Sequence, residues 1–177
     1  MTAHVIWLTG ISGSGKTTLT ERISKLLRQR GHKVETLDGD VVRSFFENDL
    51  GYSRPERILN VRRIAFAAML LAKNDINVVV ANIAPYYEAR DFIRQHLPNY
   101  IQIYLKTSIE KASERDTKGV YTDANHKNAP QIIGVGDAYE APRRPDLIVE
   151  TDWNTIDESV ETIMQFLILK GFRHVRT

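Results

Sequence analysis

The chain has 177 residues, with 24 Lys and Arg against 22 Asp and Glu, a net charge of +2 and no cysteine. This length suits one core and excludes two large domains, and the near balance of charge argues against a nucleic-acid-binding surface. The absence of cysteine excludes disulfides, thiolate metal sites and a cysteine nucleophile. No signal-peptide pattern is visible, and the longest apolar run, Ile64–Ala72, is far shorter than the roughly 20 residues of a membrane span. We therefore expect a cytoplasmic protein without nucleic-acid or membrane partners.

Short runs rich in β-branched residues alternate with segments of helical periodicity along the chain. The five apolar runs predict strands at Val5–Thr9, Lys33–Leu37, Asn77–Ala81, Tyr100–Leu105 and Asp146–Glu150. The segments between and after them predict helices at Lys16–Arg30, about Glu56–Asn74, Tyr86–Gln95, Ile109–Asp116 and Ile156–Lys170. Nearly continuous apolar strands are typical of parallel sheets covered on both faces. The pattern predicts an α/β protein with a mostly parallel five-stranded sheet and helices on both faces.

Local patterns refine the helix starts and mark one long loop. Thr107 with Glu110, and Thr155 with Glu158, fit the capping box, which predicts that a helix begins after each threonine. Residues 118–145 are rich in Gly, Pro and Asn and have no sustained period. A loop of that length in a compact domain is usually functional.

The first predicted strand runs into a glycine-rich segment, residues 10–17, that fits the phosphate-binding pattern G-x-x-x-x-G-K-[ST]. Its glycines let backbone N–H groups and the positive end of the next helix surround phosphates. We expect Lys16 to reach the β- and γ-phosphates of a nucleoside triphosphate and Thr17 to bind Mg²⁺. The candidate phosphate-binding residues are Gly10, Ser12, Gly13, Ser14, Gly15, Lys16, Thr17 and Thr18. GTPase motifs do not occur in the required order, so the chain is predicted to be a small phosphotransferase.

A candidate acceptor site follows the second predicted strand, which ends in Asp38-Gly39-Asp40 with Arg43 one turn later. Open α/β sheets bind ligands at the carboxyl ends of their strands. Two carboxylates there can hold hydrated Mg²⁺ or orient an attacking hydroxyl. Arg57 and Asn60, three residues apart on a predicted helix, can meet one ligand together. A plain turn at residues 38–40 and a solvated helix face are the alternatives.

Seven segments, in their order and spacing, resemble the adenylylsulfate (APS) kinases over nearly the whole chain. They are Gly10–Thr18, Leu37–Arg43, Asp49–Ser53, Arg57 with Asn60–Arg63, Ile83–Tyr86, Arg115–Tyr121 and Tyr139–Pro142. The resemblance implies transfer of phosphate from ATP to the 3′-hydroxyl of adenosine 5′-phosphosulfate, with Mg²⁺. It also implies a single P-loop nucleotide-kinase domain over residues 1–177, a lid at about 115–142, and a homodimer.

Carried over by position, the resemblance assigns roles to residues of this chain. Lys16, Asp38 and Asp40 are the implied catalytic residues, with Thr17 and Asp38 beside the metal. Phosphoryl transfer has a loose transition state, so we expect Asp40 to orient the hydroxyl first and to accept its proton second. The remaining residues are those of the lid over the phosphates, Arg115 and Lys118, and those of the acceptor nucleotide, Asp40, Arg43, Tyr52, Arg57, Asn60, Ile83, Ala84 and Ile132. Tyr52 stands where the family has an aromatic residue that stacks on adenine.

Several family positions on the acceptor side are changed. Ile83–Tyr87 lacks the serine and the arginine of the family's Ile-Ser-Pro-Tyr-Arg, so transfer through a phosphoserine is impossible there. Ile132–Gly134 replaces Phe-Thr-Gly, and Thr122–Asn125 replaces a basic stretch. An APS kinase is the leading hypothesis. The alternatives are a relative that phosphorylates the sugar hydroxyl of another activated nucleotide, such as a cytidine diphosphate derivative, and a nucleotide-binding module without chemistry.

Overall fold

In a computed structural model, which describes residues 3–97, 99–116, 119–122 and 131–175, the chain is built around a five-stranded sheet. The strands are β1 Val5–Thr9, β2 Val34–Asp38, β3 Asn77–Ala81, β4 Tyr100–Lys106 and β5 Leu147–Glu150. Their order is β2-β3-β1-β4-β5, and every neighbouring pair is parallel. The predicted α/β class and the five parallel strands are confirmed, with bounds that differ by at most one residue.

Helices cover both faces of this sheet. They are α1 Lys16–Gln29, α2 Gly39–Phe45, α3 Arg54–Lys73, α4 Tyr87–His96, α5 Ile109–Glu114 and α6 Ile156–Leu169. Apolar side chains of α1 and α6 form one core with Ile6 and Leu8 of β1, and those of α3 and α4 form a second core with Trp7. Alternate side chains of β1 thus enter opposite cores, which explains why the strand is apolar throughout.

One additional helix and one different cap distinguish the structure from the prediction. The helix α2 was not predicted, because seven residues carry too little periodicity; its N-cap is Asp38, whose Oδ1 accepts from Asp40 N at 2.8 Å. The capping box predicted at Thr107 is wrong. Ser108 caps α5 by accepting from Lys111 N at 3.2 Å, while the Thr107 hydroxyl bonds that of Thr151.

The other predicted cap is confirmed, and a further one was overlooked. Thr155 and Glu158 form a reciprocal capping box at the start of α6. Ser53 and Glu56 form another at α3, which therefore begins at Arg54, two residues before its predicted start. This cap fixes the first turn of α3, from which Arg57 projects.

The parallel arrangement sets the position of the site. The carboxyl ends of β1, β2 and β3 lie side by side at one edge of the sheet. The glycine-rich loop, the Asp-Gly-Asp turn and the segment at residues 82–86 leave these three strands and are therefore neighbours. No helix in the described part of the chain combines the length and the apolar character needed to cross a membrane.

Candidate active site

A cavity of about 1070 Å³ opens at the carboxyl ends of β1, β2 and β3. Most of the predicted site residues line it: Ser12, Gly13, Ser14, Gly15, Lys16, Thr17, Thr18, Asp38, Asp40, Arg43, Tyr52, Arg57, Asn60, Ile83, Ala84, Arg115 and Ile132. Gly10, which directly follows β1, does not line the cavity. Lys118 lies outside the described residues. Segments far apart in sequence thus meet around one space.

The glycine-rich loop is packed tightly against its neighbours. At Gly13, which has φ +75°, a Cβ would lie 2.5 Å from the carbonyl oxygen of Ala112. At Gly10 a Cβ would lie 2.6 Å from the carbonyl oxygen of Leu105. The Lys16 ammonium donates to the carbonyls of Gly10 at 2.9 Å and Ile11 at 2.6 Å. The loop therefore holds its curved backbone through contacts with the protein itself, ready to present N–H groups to phosphates.

A hydrogen bond between two side-chain oxygens links this loop to the Asp-Gly-Asp turn. The Thr17 hydroxyl donates to Asp38 Oδ2 at 3.0 Å, and Asp38 Oδ1 accepts from Asp40 N at 2.8 Å. A hydroxyl beside a carboxylate fits Mg²⁺, which is commonly bound through one or two protein oxygens together with substrate phosphates and water. Within the described ranges there is no cluster of three or more metal-binding side chains, so a closed protein cage for a metal is not formed there.

Two arginines flank Tyr52 on the acceptor side. Arg43 is buried and donates to the carbonyls of Leu50 at 2.7 Å and Gly51 at 2.9 Å. Arg57 donates through Nε to the carbonyl of Tyr52 at 2.8 Å. Their Cζ atoms lie 4.8 Å and 5.2 Å from the centroid of the Tyr52 ring. The arginines thus hold the loop at residues 50–52 in addition to lining the cavity.

Arg57 also reaches across the cavity. Its Nη2 donates to the carbonyl of Gln131, and the neighbouring Ile132 is buried. Burial lowers the pKa of the Arg57 guanidinium from its ordinary value, although the group stays cationic at neutral pH. One side chain on α3 therefore ties the Tyr52 loop to the segment that carries Ile132.

The C-terminal part of the predicted lid is anchored at the start of α4. Glu140 accepts from Tyr87 N and, at 3.0 Å, from Arg54, while the Tyr86 hydroxyl donates to Asp137. Burial and the Asp137 carboxylate raise the pKa of Tyr86 to about 12. Asp137 and Glu140 were not predicted as site residues. The available signal was that these two acidic residues lie close to Pro, Gly and Tyr residues in the sequence.

The beginning of the predicted lid contacts the donor side. The Tyr121 hydroxyl donates to the carbonyl of Ser12 at 2.9 Å, and Tyr121 N donates to Asp116 at 2.6 Å. Arg115 donates to the carbonyl of Thr151 at 2.6 Å. Of the changed stretch Thr122–Asn125, only Thr122 lies within the described residues.

Asn82 is a cavity residue that the sequence analysis did not single out. It follows directly after β3, and its Oδ1 accepts from Ala84 N at 3.0 Å. The signal was a single amide side chain at the end of the apolar run Val78–Ala81.

A phosphate-binding loop after a central parallel strand, with a hydroxyl–carboxylate pair and a second carboxylate facing the same cavity, defines a P-loop kinase, a phosphotransferase for an alcohol acceptor. The comparisons with known proteins agree. A family model described as Adenylylsulphate kinase matches residues 2–150. The chain belongs to the adenylylsulfate kinase family.

Individual relatives cover most of the chain. A probable adenylyl-sulfate kinase of Pseudomonas aeruginosa is 42% identical over 161 residues, which is 91% of this chain and 75% of that protein. An adenylyl-sulfate kinase of Halothermothrix orenii is 38% identical over 167 residues, 94% of this chain and 90% of that protein. The Mycobacterium tuberculosis APS kinase, solved in complex with AMPPNP and APS, superposes with a TM-score of 0.85 at 31% identity, covering 94% of this chain and 98% of that chain.

Proposed function

We propose that the protein transfers the γ-phosphoryl group of ATP to the 3′-hydroxyl of APS, which gives 3′-phosphoadenylyl sulfate and ADP. The observation that carries this proposal is the Thr17–Asp38 contact of 3.0 Å, which brings the donor loop and the acceptor turn to one point of one cavity. Phosphoryl transfer between two nucleotides requires that the donor phosphate and the acceptor hydroxyl lie next to each other. Membership of the family supports the nature of both substrates.

On the donor side, the backbone N–H groups of residues 12–17 and the N-terminus of α1 bind the phosphates of ATP. Lys16 exchanges its bonds with loop carbonyls for bonds with phosphate oxygens and so offsets the charge on the transferred group. Thr17 and Asp38 supply the protein oxygens for Mg²⁺, which when bound neutralises charge on the phosphates. Arg115 is proposed to contact the phosphates together with Lys118.

On the acceptor side, Asp40 in the first turn of α2 orients the attacking hydroxyl and then accepts its proton. Tyr52 and Ile132, which are joined through Arg57, are proposed to cover the two faces of the acceptor base. Ile83 and Ala84 supply an apolar wall behind it. The other groups proposed to hold the nucleotide are Arg43, Arg57 and Asn60.

The whole chain is proposed to act as one kinase domain, with residues 115–142 as the lid. Two residues of that segment contact opposite sides of the cavity, Tyr121 through Ser12 and Gln131 through Arg57. A lid anchored in this way would exclude water from the phosphoryl group.

We propose in addition that two copies form a homodimer through the outer face of α3. Leu59, Phe66 and Leu70 on that face are exposed, and Phe45 of α2 is 80% exposed. A helix that is apolar on both faces is ordinarily buried on both. Light scattering after gel filtration is expected to give a mass near twice the chain's 20.2 kDa, and Phe66→Glu is expected to give the monomer mass.

The activity is tested by incubating the purified protein with ATP, Mg²⁺ and APS while ADP release and the phosphorylated product are followed. We expect ADP and a 3′-phosphorylated product in equal amounts. Pyrimidine nucleotides, including cytidine diphosphate derivatives, are assayed in parallel because the changed positions lie on the acceptor side. Turnover of one of these with no product from APS would contradict the proposal, and binding of ATP without turnover of any acceptor would contradict an enzymatic role.

A further inference from the structure

The Asp-Gly-Asp turn is held between two asparagines from different elements. Asn60 of α3 donates through Nδ2 to the carbonyl of Gly39 at 3.4 Å. On the other side, the Asn82 carboxamide lies so close to Gly39 that a Cβ there would approach Asn82 Nδ2 to 2.2 Å. The turn that carries Asp38 and Asp40 is therefore in direct contact with two amide side chains.

Each asparagine has a second polar side-chain atom close to this turn. Asn60 is buried, and its Oδ1 has no hydrogen-bond partner among the described residues. Asn82 uses its Oδ1 on Ala84 N at 3.0 Å, whereas no described residue accepts a hydrogen bond from its Nδ2. Both side chains line the cavity. The buried Asn60 Oδ1 indicates a polar group of a ligand, because a buried acceptor is costly to leave unpaired, and Asn82 Nδ2 adds a donor to the same cavity lining.

The position of Asn82 indicates which ligand group it meets. On the proposed function, the reacting hydroxyl lies beside Asp40, and Gly39 is the residue immediately before it. A ribose carries a second hydroxyl on the carbon next to the reacting one, so this second hydroxyl must lie within the same few ångströms. A hydroxyl both donates and accepts, which matches one amide donor and one amide oxygen.

We propose that Asn82 is a specificity-determining residue that donates through Nδ2 to the ribose hydroxyl next to the one phosphorylated. Asn60 Oδ1 accepts from the same hydroxyl. The contact selects ribonucleotide over 2′-deoxyribonucleotide acceptors, whichever base they carry. It rests on the proposed function only in requiring that the phosphorylated group be a ribose hydroxyl.

Asn82 also has a local structural role, which the test must separate from the contact. Ala84 has φ +41°, a conformation that non-glycine residues seldom adopt, and the bond from Ala84 N to Asn82 Oδ1 supports it. Asn82→Asp keeps this oxygen acceptor and removes the Nδ2 donor. Asn154→Asp is the matched control, because Asn154 lines the same cavity beside α6 and the change adds the same charge.

The experiment measures kcat/KM and, by calorimetry, the affinity for APS and for its 2′-deoxy analogue in three proteins: wild type, Asn82→Asp and Asn154→Asp. We expect the wild type to prefer the ribonucleotide about tenfold, the value of one hydrogen bond. The preference should fall below about twofold in Asn82→Asp and stay unchanged in Asn154→Asp. A purely structural role would lower both activities equally and leave the preference intact.

Two results overturn the contact: a wild type that binds both nucleotides equally, or an Asn82→Asp protein that keeps the wild-type preference. Binding is measured independently of turnover, so a wild type that discriminates between the two nucleotides but phosphorylates neither would contradict the proposed function and leave the ribose contact supported. Melting temperatures of the three proteins verify that each is folded.

Discussion

The donor and acceptor halves of the cavity are built in different ways. The donor half is one continuous segment, residues 10–17, whose shape depends on glycines packed against Leu105 and Ala112. The acceptor half is assembled from α2, the loop at residues 50–52, α3, the segment after β3 and residues 131–132, and side-chain hydrogen bonds to backbone carbonyls join these pieces. The donor half therefore combines backbone N–H groups with the Lys16 ammonium, whereas the acceptor half depends on side chains from several elements.

The largest effect is expected from Lys16→Ala. The loss of this ammonium leaves the charge on the transferred phosphoryl group uncompensated, and we expect kcat/KM to fall by about 10³-fold. Stability should fall by about 1–2 kcal/mol, because the bonds from the ammonium to the carbonyls of Gly10 and Ile11 are lost. Steady-state kinetics and thermal melts measure both. Lys25→Ala, an exposed change on the same helix, should leave kcat/KM unaltered. A Lys16→Ala protein with near-wild-type activity would show that the donor half does not depend on this charge.

A selective effect on the acceptor half is expected from Arg57→Lys. Lysine cannot donate to the carbonyls of Tyr52 and Gln131 together, so the two pieces that cover the acceptor base lose their connection. The KM for the acceptor should rise by about tenfold or more while the KM for ATP stays the same. Initial rates with each substrate varied in turn make the measurement. Arg62→Lys on the outer side of α3, where Arg62 lies 5.0 Å from the Phe92 ring, is the control. Equal increases in both KM values would contradict the separation of the two halves.

The smallest effect, one on stability, is expected from Glu140→Gln. Burial raises the pKa of Glu140, but the bonds from Tyr87 N and Arg54 outweigh it, and the net pKa is below its ordinary value. A carboxylate with a lowered folded-state pKa stabilises the protein above its unfolded pKa of about 4.3, and this stability is lost as the pH falls through the folded value. Urea unfolding at neutral pH should therefore show a loss of about 1–2 kcal/mol in the variant.

The difference between wild type and Glu140→Gln should shrink as the pH is lowered from about 5 towards 3. Glu21→Gln, an exposed change on α1, serves as the reference for replacing a surface carboxylate. A gap that widens in acid would show that the Glu140 carboxylate is not what anchors the acceptor half to α4.

The sequence predicted what depends on local pattern and missed what depends on distant contacts. The parallel strands and the glycine-rich loop were predictable, because apolar runs and glycine spacing are visible in short windows. The cap at Ser108 was mistaken for Thr107, since Thr107 bonds instead to Thr151, which is 44 residues away. Asn82 has no motif of its own, and its place beside Gly39 exists only after β2 and β3 pair.

Asp38 contacts both halves of the cavity. One oxygen of its carboxylate meets Thr17 on the donor loop, and the other caps α2, the helix that ends near Arg43 and the acceptor loop. A ligand that draws this carboxylate away from Asp40 N removes the cap of α2, so a change at the donor loop reaches the acceptor side. The affinities for the two nucleotides are then thermodynamically linked, and by reciprocity each changes the other by the same factor.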